Sequence, residues 1–219
     1  MPAFQTTFEA LPSEIPIFPL SGALLLPGGR LPLNIFEPRF LAMTEDALAA
    51  GRLLAMVQPD PGLPRTEIGS QIYRVGCLGR ISSFAETEDG RYLITLTGVI
   101  RCRMAEEVAM RRGYRRARVD YVPYAADMTL DAPAPQVDRA SMLVALRPYF
   151  KARGIEANWE AVEATPDALL VTTLCMLCPF EVREKQALLE APTVSDRAAM
   201  LVTLLQMGSH AMAPEGRPS

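Results

Sequence analysis

The chain has 219 residues, 49% of them hydrophobic, and a formal net charge of −3. That is enough apolar material for one large or two small packed domains, and the slight acidity excludes affinity for nucleic acid or membrane spread over the whole surface. No segment reaches the ~18 to 20 consecutive apolar residues of a membrane span, residues 1–14 lack the basic start of a signal peptide, and the sparse cysteines read as reduced thiols in a cytoplasmic protein.

Residues 1–14 read as a loosely ordered lead-in. From Ile15 to Phe40 the chain runs IPIFPLSGALLLPGGRLPLNIFEPRF. Short apolar runs are separated here by prolines and glycines that do not belong inside a helix. Each run is strand length, and the prolines place them at edges, starts or bulges. The expectation is a set of short, bent strands opening a barrel-like sheet. Pro38 suits the first position of a helix, where its missing N–H is no loss. Arg39–Ala50 is therefore expected as an amphipathic helix, with Glu45 and Asp46 facing water and Gly51 as its stop. Leu53–Val57 is a short buried strand, and residues 58–70 form a loop.

From Ile72 the pattern turns to period two, with Tyr73, Val75, Cys77 and Ile81 against Arg74 and Arg80. Glu88-Asp89-Gly90-Arg91 is a hairpin turn, because Asp-Gly tolerates positive φ. On the return strand Tyr92, Ile94, Leu96, Ile100, Cys102 and Met104 share one face, and Thr95, Thr97, Arg101 and Arg103 the other. Gly98 predicts a bulge that curls the sheet. A last strand covers Ala117–Val122. Residues 123–136 carry three prolines and no periodicity, which places a domain boundary there.

Beyond that boundary the chain reads as helical. Met142, Leu146 and Tyr149 form one stripe, with Pro148 expected to kink or end its helix. Thr165-Pro166-Asp167 reads as a capped helix start. The following ALLVTTLCMLC is apolar nearly all round, as the central helix of a small bundle would be. Glu181–Glu190 is a short amphipathic helix with a Glu181–Lys185 pair. Ser195 is expected to cap a last helix running through Met207, with a frayed tail from Gly208.

Few residues offer chemistry. The single histidine, His210, lies in the polar tail, where a Ser-His-Asp or Cys-His site would lack rigid support. Cys175-Met176-Leu177-Cys178 closes a helix instead of opening one, so the dipole does not activate it. No four-ligand zinc set accompanies it. No P-loop and no GxGxxG occurs. Neither a metal nor a cofactor is expected. The run Arg111, Arg112, Arg115, Arg116 and Arg118, with Tyr114 and Tyr121, is the candidate for RNA, since Arg pairs phosphate and Tyr stacks on bases. Against it, charges on an edge strand commonly serve to block unwanted pairing. Leu24-Leu25-Leu26-Pro27 is an apolar surplus. Three consecutive leucines on a strand cannot all face one core, so at least one is expected to line an apolar groove for extended polypeptide or to pack between domains.

Residues 15–104 resemble the N-terminal substrate-binding domain of the Lon protease family. The resembling stretches are Ile15 to Leu20, Leu24 to Pro27, Leu31-Pro32-Leu33-Asn34-Ile35-Phe36-Glu37-Pro38-Arg39-Phe40, Gln58, Tyr73-Arg74-Val75-Gly76 and Gly98-Val99-Ile100-Arg101. The helical half, with Pro179-Phe180 and then Glu184-Lys185-Gln186 and Leu188-Leu189, is similar to the helical bundle behind the barrel in that family. The resemblance implies an α+β protein, a PUA-like β-barrel over residues 10–123 followed by a C-terminal α-helical bundle over 137–208. It implies a non-enzymatic role, holding unfolded or degron-bearing polypeptide, with a protease or chaperone as further partner. Peptidase activity is not expected, since the ATPase module and Ser-Lys dyad of the full protease have no counterpart in these residues. The candidate peptide-binding residues are Leu24, Leu25, Leu26, Pro27, Leu31, Leu33 and Phe36, with Glu37 and Arg39 fixing the turn behind them. The alternative is RNA binding, by analogy with other PUA-like barrels, through Arg111, Arg112, Tyr114, Arg115 and Arg116.

Overall fold

The alternating residues of the first half form one mixed sheet. In chain order this half comprises β1 (Glu14–Pro19), β2 (Arg30–Ile35), helix α1 (Pro38–Ala49), β3 (Leu53–Val57), β4 (Arg65–Thr66), β5 (Gly69–Ser70), β6 (Val75–Glu86), β7 (Tyr92–Arg111) and β8 (Tyr114–Asp120). The structure is a computed structural model that describes residues 6–67, 69–129 and 135–210. These strands belong to the first of two units, Met1–Ala132, and the second is Pro133–Ser219.

β4 and β5 make a separate small hairpin, and the other six strands are arranged in the order β2-β7-β6-β3-β1-β8. The first half of β7 lies between β2 and β6, and its second half pairs with β8. The pairings β7-β6-β3-β1-β8-β7 therefore close on themselves and leave β2 outside as an edge. β1 and β3 are parallel, because β2 and α1 intervene between them. One side of each ring strand fills the interior, with Ile15 and Ile17, Ala55 and Val57, Leu78, Ile100 and Cys102, and Ala117 and Val119. Register slips between Leu78 and Gly79, where Val99 becomes the extra residue opposite. This is the bulge expected at Gly98.

Leu24–Leu26 are not a strand. They run as irregular chain laid against β7, where the Gly28 N–H donates to the Gly98 carbonyl (3.0 Å) and the Gly98 N–H to the Gly29 carbonyl (2.9 Å). A Cβ on Gly98 would stand 2.0 Å from the Leu26 carbonyl oxygen, and one on Gly79 would stand 2.7 Å from Leu25 Cδ2. Alternation binds only a strand. Released from it, Leu24, Leu25 and Leu26 are all buried, which removes the exposed-groove alternative for these three.

β8 starts three residues earlier than expected, at Tyr114. Val122, expected to end the last strand, and residues 123–128, expected as part of an aperiodic boundary, form a 3-10 helix kinked at Tyr124 that brings Asp127 over β7. Arg101 donates its backbone N–H (3.0 Å) and Nε–H (2.9 Å) to one Asp127 oxygen and an Nη2–H (2.8 Å) to the other. The two side chains are only 6% and 10% exposed. Alternation placed Arg101 on the outer face correctly, but the 3-10 helix covers it.

The second unit holds α2 (Arg139–Ala152), α3 (Trp159–Ala164), α4 (Asp167–Leu177), α5 (Val182–Glu190) and α6 (Val194–His210). α6 packs on α2, α4 and α5, and Met142, Leu146 and Tyr149 are buried as a stripe. α2 runs through Pro148 instead of ending there. The N–H that proline lacks would have met the Val144 carbonyl. Val144 is on the exposed face, so water can serve that carbonyl. The Thr165 hydroxyl donates to the Ala161 carbonyl (2.7 Å) at the end of α3, a helix the pattern did not announce, and Pro166 takes the N-cap of α4. Thr193, not Ser195, caps α6. Its Oγ1 accepts from the Asp196 N–H (3.1 Å) while its own N–H donates to the Asp196 carboxylate (3.1 Å). α6 continues past Met207 to His210, whose side chain, like residues 1–5 and the tail after 210, lies outside the described residues.

Asp127→Ala would remove the carboxylate that pairs with the buried Arg101 guanidinium. The expected loss is about 3–5 kcal/mol of unfolding free energy, read from urea denaturation. Glu163→Ala removes the exposed Arg147–Glu163 pair (2.9 Å) and is expected to cost less than about 1 kcal/mol.

Candidate functional site

In an antiparallel pair, alternate residues bond to the neighbouring strand and the others point away. Gly98 bonds to the segment at Gly28 and Gly29, and Leu31 and Leu33 then stand opposite Leu96 and Ile94. Counting on from that bonded position, residues 31, 33 and 35 turn their backbone groups to β7, and 30, 32 and 34 turn theirs outward. Pro32 thus sits where its missing N–H would have faced away from the sheet, as a proline on an edge should.

Past the end of β2, Phe36 is 61% exposed, with the Arg91 guanidinium of the hairpin turn 5.7 Å from its ring. On β6, Phe84 is 41% exposed and meets Tyr92 edge-on at 5.0 Å. Leu93 is 46% exposed on the other face of the same flap. The end of β2-β7-β6 therefore carries three large apolar side chains in water. Of the residues expected to bind peptide, Phe36 is exposed, Pro27, Leu31 and Leu33 are half-buried, and Leu24, Leu25 and Leu26 are core. Phe84 and Leu93 were missed. Leu93 had a signal, being out of phase with Ile94 and Leu96. Phe84 had none, because a second register slip near Ser82 resets the alternation. Behind Phe36, Arg39 and Glu37 form an exposed ion pair. Arg39 donates from Nε (3.0 Å) and Nη2 (2.8 Å) to one Glu37 oxygen. Its guanidinium lies 4.4 Å from the Phe40 ring, which packs on Phe18 at 4.2 Å.

The arginine run is occupied. Arg112 and Gly113 take positive φ (49° and 84°) in the two-residue turn between β7 and β8, as a hairpin twisting with its strands requires. Arg112 bonds Glu45 (2.6 Å) and Asp46 (3.0 Å) of α1, and Arg111 pairs with Asp46 (3.1 Å). The Tyr114 hydroxyl donates to Asp46 (2.7 Å). Arg115 is buried, pairs with Glu107 (2.5 Å) and donates to the Ser70 carbonyl (2.8 Å). Arg116 pairs with Glu14 and Arg118 with Glu106. Each of the five pairs with a carboxylate, Arg115 under cover and Arg111, Arg112 and Arg118 at the surface, so any phosphate chain would have to compete with these acids. Glu45 and Asp46, expected to face water, are among them.

The thiols are inert. All four cysteines are free and buried, and burial pushes Cys102, Cys175 and Cys178 up to about 12. Among the described residues no group of three His, Cys, Asp or Glu is placed to hold a metal, and no helix is long and apolar enough to cross a membrane.

The chain belongs to the family described as the ATP-dependent protease La (LON) substrate-binding domain, whose model matches residues 14–207. It is 26% identical over 208 residues to Lon protease 2 of Myxococcus xanthus and 28% identical over 205 residues to Lon protease 1 of Thermus thermophilus. Those alignments cover 90% and 88% of this chain but 24% of each relative, so it spans about a quarter of their length. Its fold is similar to the Lon N-terminal domain protein from Xanthomonas campestris (TM-score 0.59, 21% identity, 87% of this chain and 97% of that one). It is also similar to the N-terminal domain of Mycobacterium avium complex Lon protease (TM-score 0.55, 16% identity, 88% and 97%). These 219 residues carry the family's substrate-binding domain and neither an ATPase nor a protease domain.

A thiol titration at pH 8 is expected to find no rapid reaction in the native protein and four reactive thiols in denaturant. Prompt native labelling would contradict the burial. Burial raises the Asp46 carboxyl, but the Tyr114 hydroxyl, Arg112 and Arg111 outweigh it and hold the group below its ordinary 3.8. A depressed carboxyl stabilises the fold above its unfolded value and loses that contribution as pH falls through its folded one. Asp46→Asn is therefore expected to be less stable than the parent at pH 7, with the gap narrowing below about pH 4 in acid denaturation.

Proposed function

We propose that this module holds unfolded or degron-bearing polypeptide through the end of the β2-β7-β6 flap. The closed ring of pairings supports reading residues 10–123 as a PUA-like β-barrel, and the packing of α6 on its neighbours supports reading 137–208 as an α-helical bundle. The single observation that carries the proposal is the exposure of Phe36, Phe84 and, on the opposite face from Phe84, Leu93 at one end of the sheet. Leu31 and Leu33 border them. Leu24, Leu25 and Leu26 serve underneath, fastening their segment to the sheet.

Side-chain burial is worth about 25 cal/mol per Å² before ordering costs, so a few half-exposed side chains make a weak and tolerant site. A weak site suits a module that passes its cargo to a protease or chaperone, in the cytoplasm. Family membership supports polypeptide as the ligand class.

Fluorescence anisotropy with a permanently unfolded, labelled polypeptide tests the proposal. Phe36→Asp combined with Phe84→Asp is expected to weaken binding about ten-fold, the equivalent of losing one well-buried side chain. Leu25→Asp is expected to unfold the protein, since it puts a charge in the core. Undiminished binding by the double variant, with its fold intact by circular dichroism, would refute the flap as the site.

A further inference from the structure

A helix that is apolar nearly all round is normally covered on every side. α4 is not. Leu169 and Leu177, two turns apart, are 49% and 74% exposed, while Leu170 and Leu174 beside them are buried. The open stripe forms one side of a groove of about 380 Å³ within the helical unit, closed opposite by Phe150, Ile155 and Val162.

Size and charge say what fits. The groove is within the ~300–1,000 Å³ range of ligand sites. The stripe from Leu169 to Leu177 is ~12 Å long at 1.5 Å per residue, which seats two large side chains of a helical or extended segment. Glu156 is the one charged residue in the lining. The neighbouring acids Glu163 and Asp167 are already held by Arg147 (2.9 Å) and Arg139 (2.5 Å). Arg153 is drawn over the Tyr149 ring at 4.9 Å. Glu156 and the next acid on α3, Glu160, are exposed and form no ion pair among the described residues. The charged side chain at the apolar groove is thus an exposed carboxylate, Glu156, in no ion pair among the described residues, with Lys151 and Arg153 the nearest cations along the chain.

We infer that this groove is a second substrate contact, resting on the function proposed above, and that it selects apolar polypeptide stretches with a Lys or Arg beside them. The apolar side chains seat on the α4 stripe, and the cation faces Glu156.

The test uses the whole chain and two labelled peptides with the same leucines, one carrying a lysine beside them and the other a glutamate. At low salt the lysine peptide is expected to bind about three-fold more tightly, the worth of an exposed ion pair. Glu156→Lys is expected to reverse that order, and Leu177→Asp, on an exposed position, to weaken both peptides. The Phe36→Asp, Phe84→Asp protein is expected to keep the preference for lysine. A preference unmoved by Glu156→Lys, or peptide affinity unmoved by Leu177→Asp, would overturn the groove. Either result leaves the flap proposal standing, because that is read from the unfolded polypeptide and the flap variants.

Discussion

A carbonyl oxygen 2.0 Å from where a side chain would begin leaves no residue but glycine at position 98. That absence of a Cβ, with a second at Gly79, lets residues 24–29 lie flat on the paired strands and exchange backbone hydrogen bonds with β7. This one contact makes the three leucines core, each contributing about 1.5–3 kcal/mol of burial. It starts β2 in register along β7 as the edge of the sheet. It also carries Phe36 to the far end of that edge, where the side chain is 61% exposed.

Electrostatics serves the same framework. The β7–β8 turn is rich in arginine and α1 is acidic on the side that meets it, so the two are fastened by ion pairs through Glu45 and Asp46. Arg101 and Asp127 do the equivalent at the 3-10 helix, under cover. Five closely spaced cations would seem to invite phosphate, yet each is matched within the fold. Cation count in a stretch of sequence measures affinity for polyanions only when the partners are absent.

At the flap end Phe36, Phe84 and Leu93 stand open to solvent. The edge of β2 is interrupted by Pro32, which removes an outward donor and blunts strand addition. Capture by this surface would fall to side chains at the flap end, a mode tolerant of sequence, and tolerance is what a module recognising unfolded chains needs.

Much was legible in the residues. Period-two alternation over β6 and β7, the Asp-Gly turn, the bulge at Gly98, proline at the start of α1 and the Met142-Leu146-Tyr149 stripe are local patterns. Local patterns depend only on which neighbours a residue meets a few positions away. The resemblance to Lon substrate-binding domains was legible as well, because it rests on a run of specific residues from Leu31 to Phe40. Tertiary structure decided everything that depends on distant partners. Whether Leu24–Leu26 are core or groove turns on two glycines more than fifty residues away. Whether the arginines are free turns on acids of α1, β1 and the middle of β7. Whether Arg101 is solvated turns on a 3-10 helix that carries no periodicity. Exposure is a property of what comes to lie over a residue, and no spacing along the chain encodes that covering.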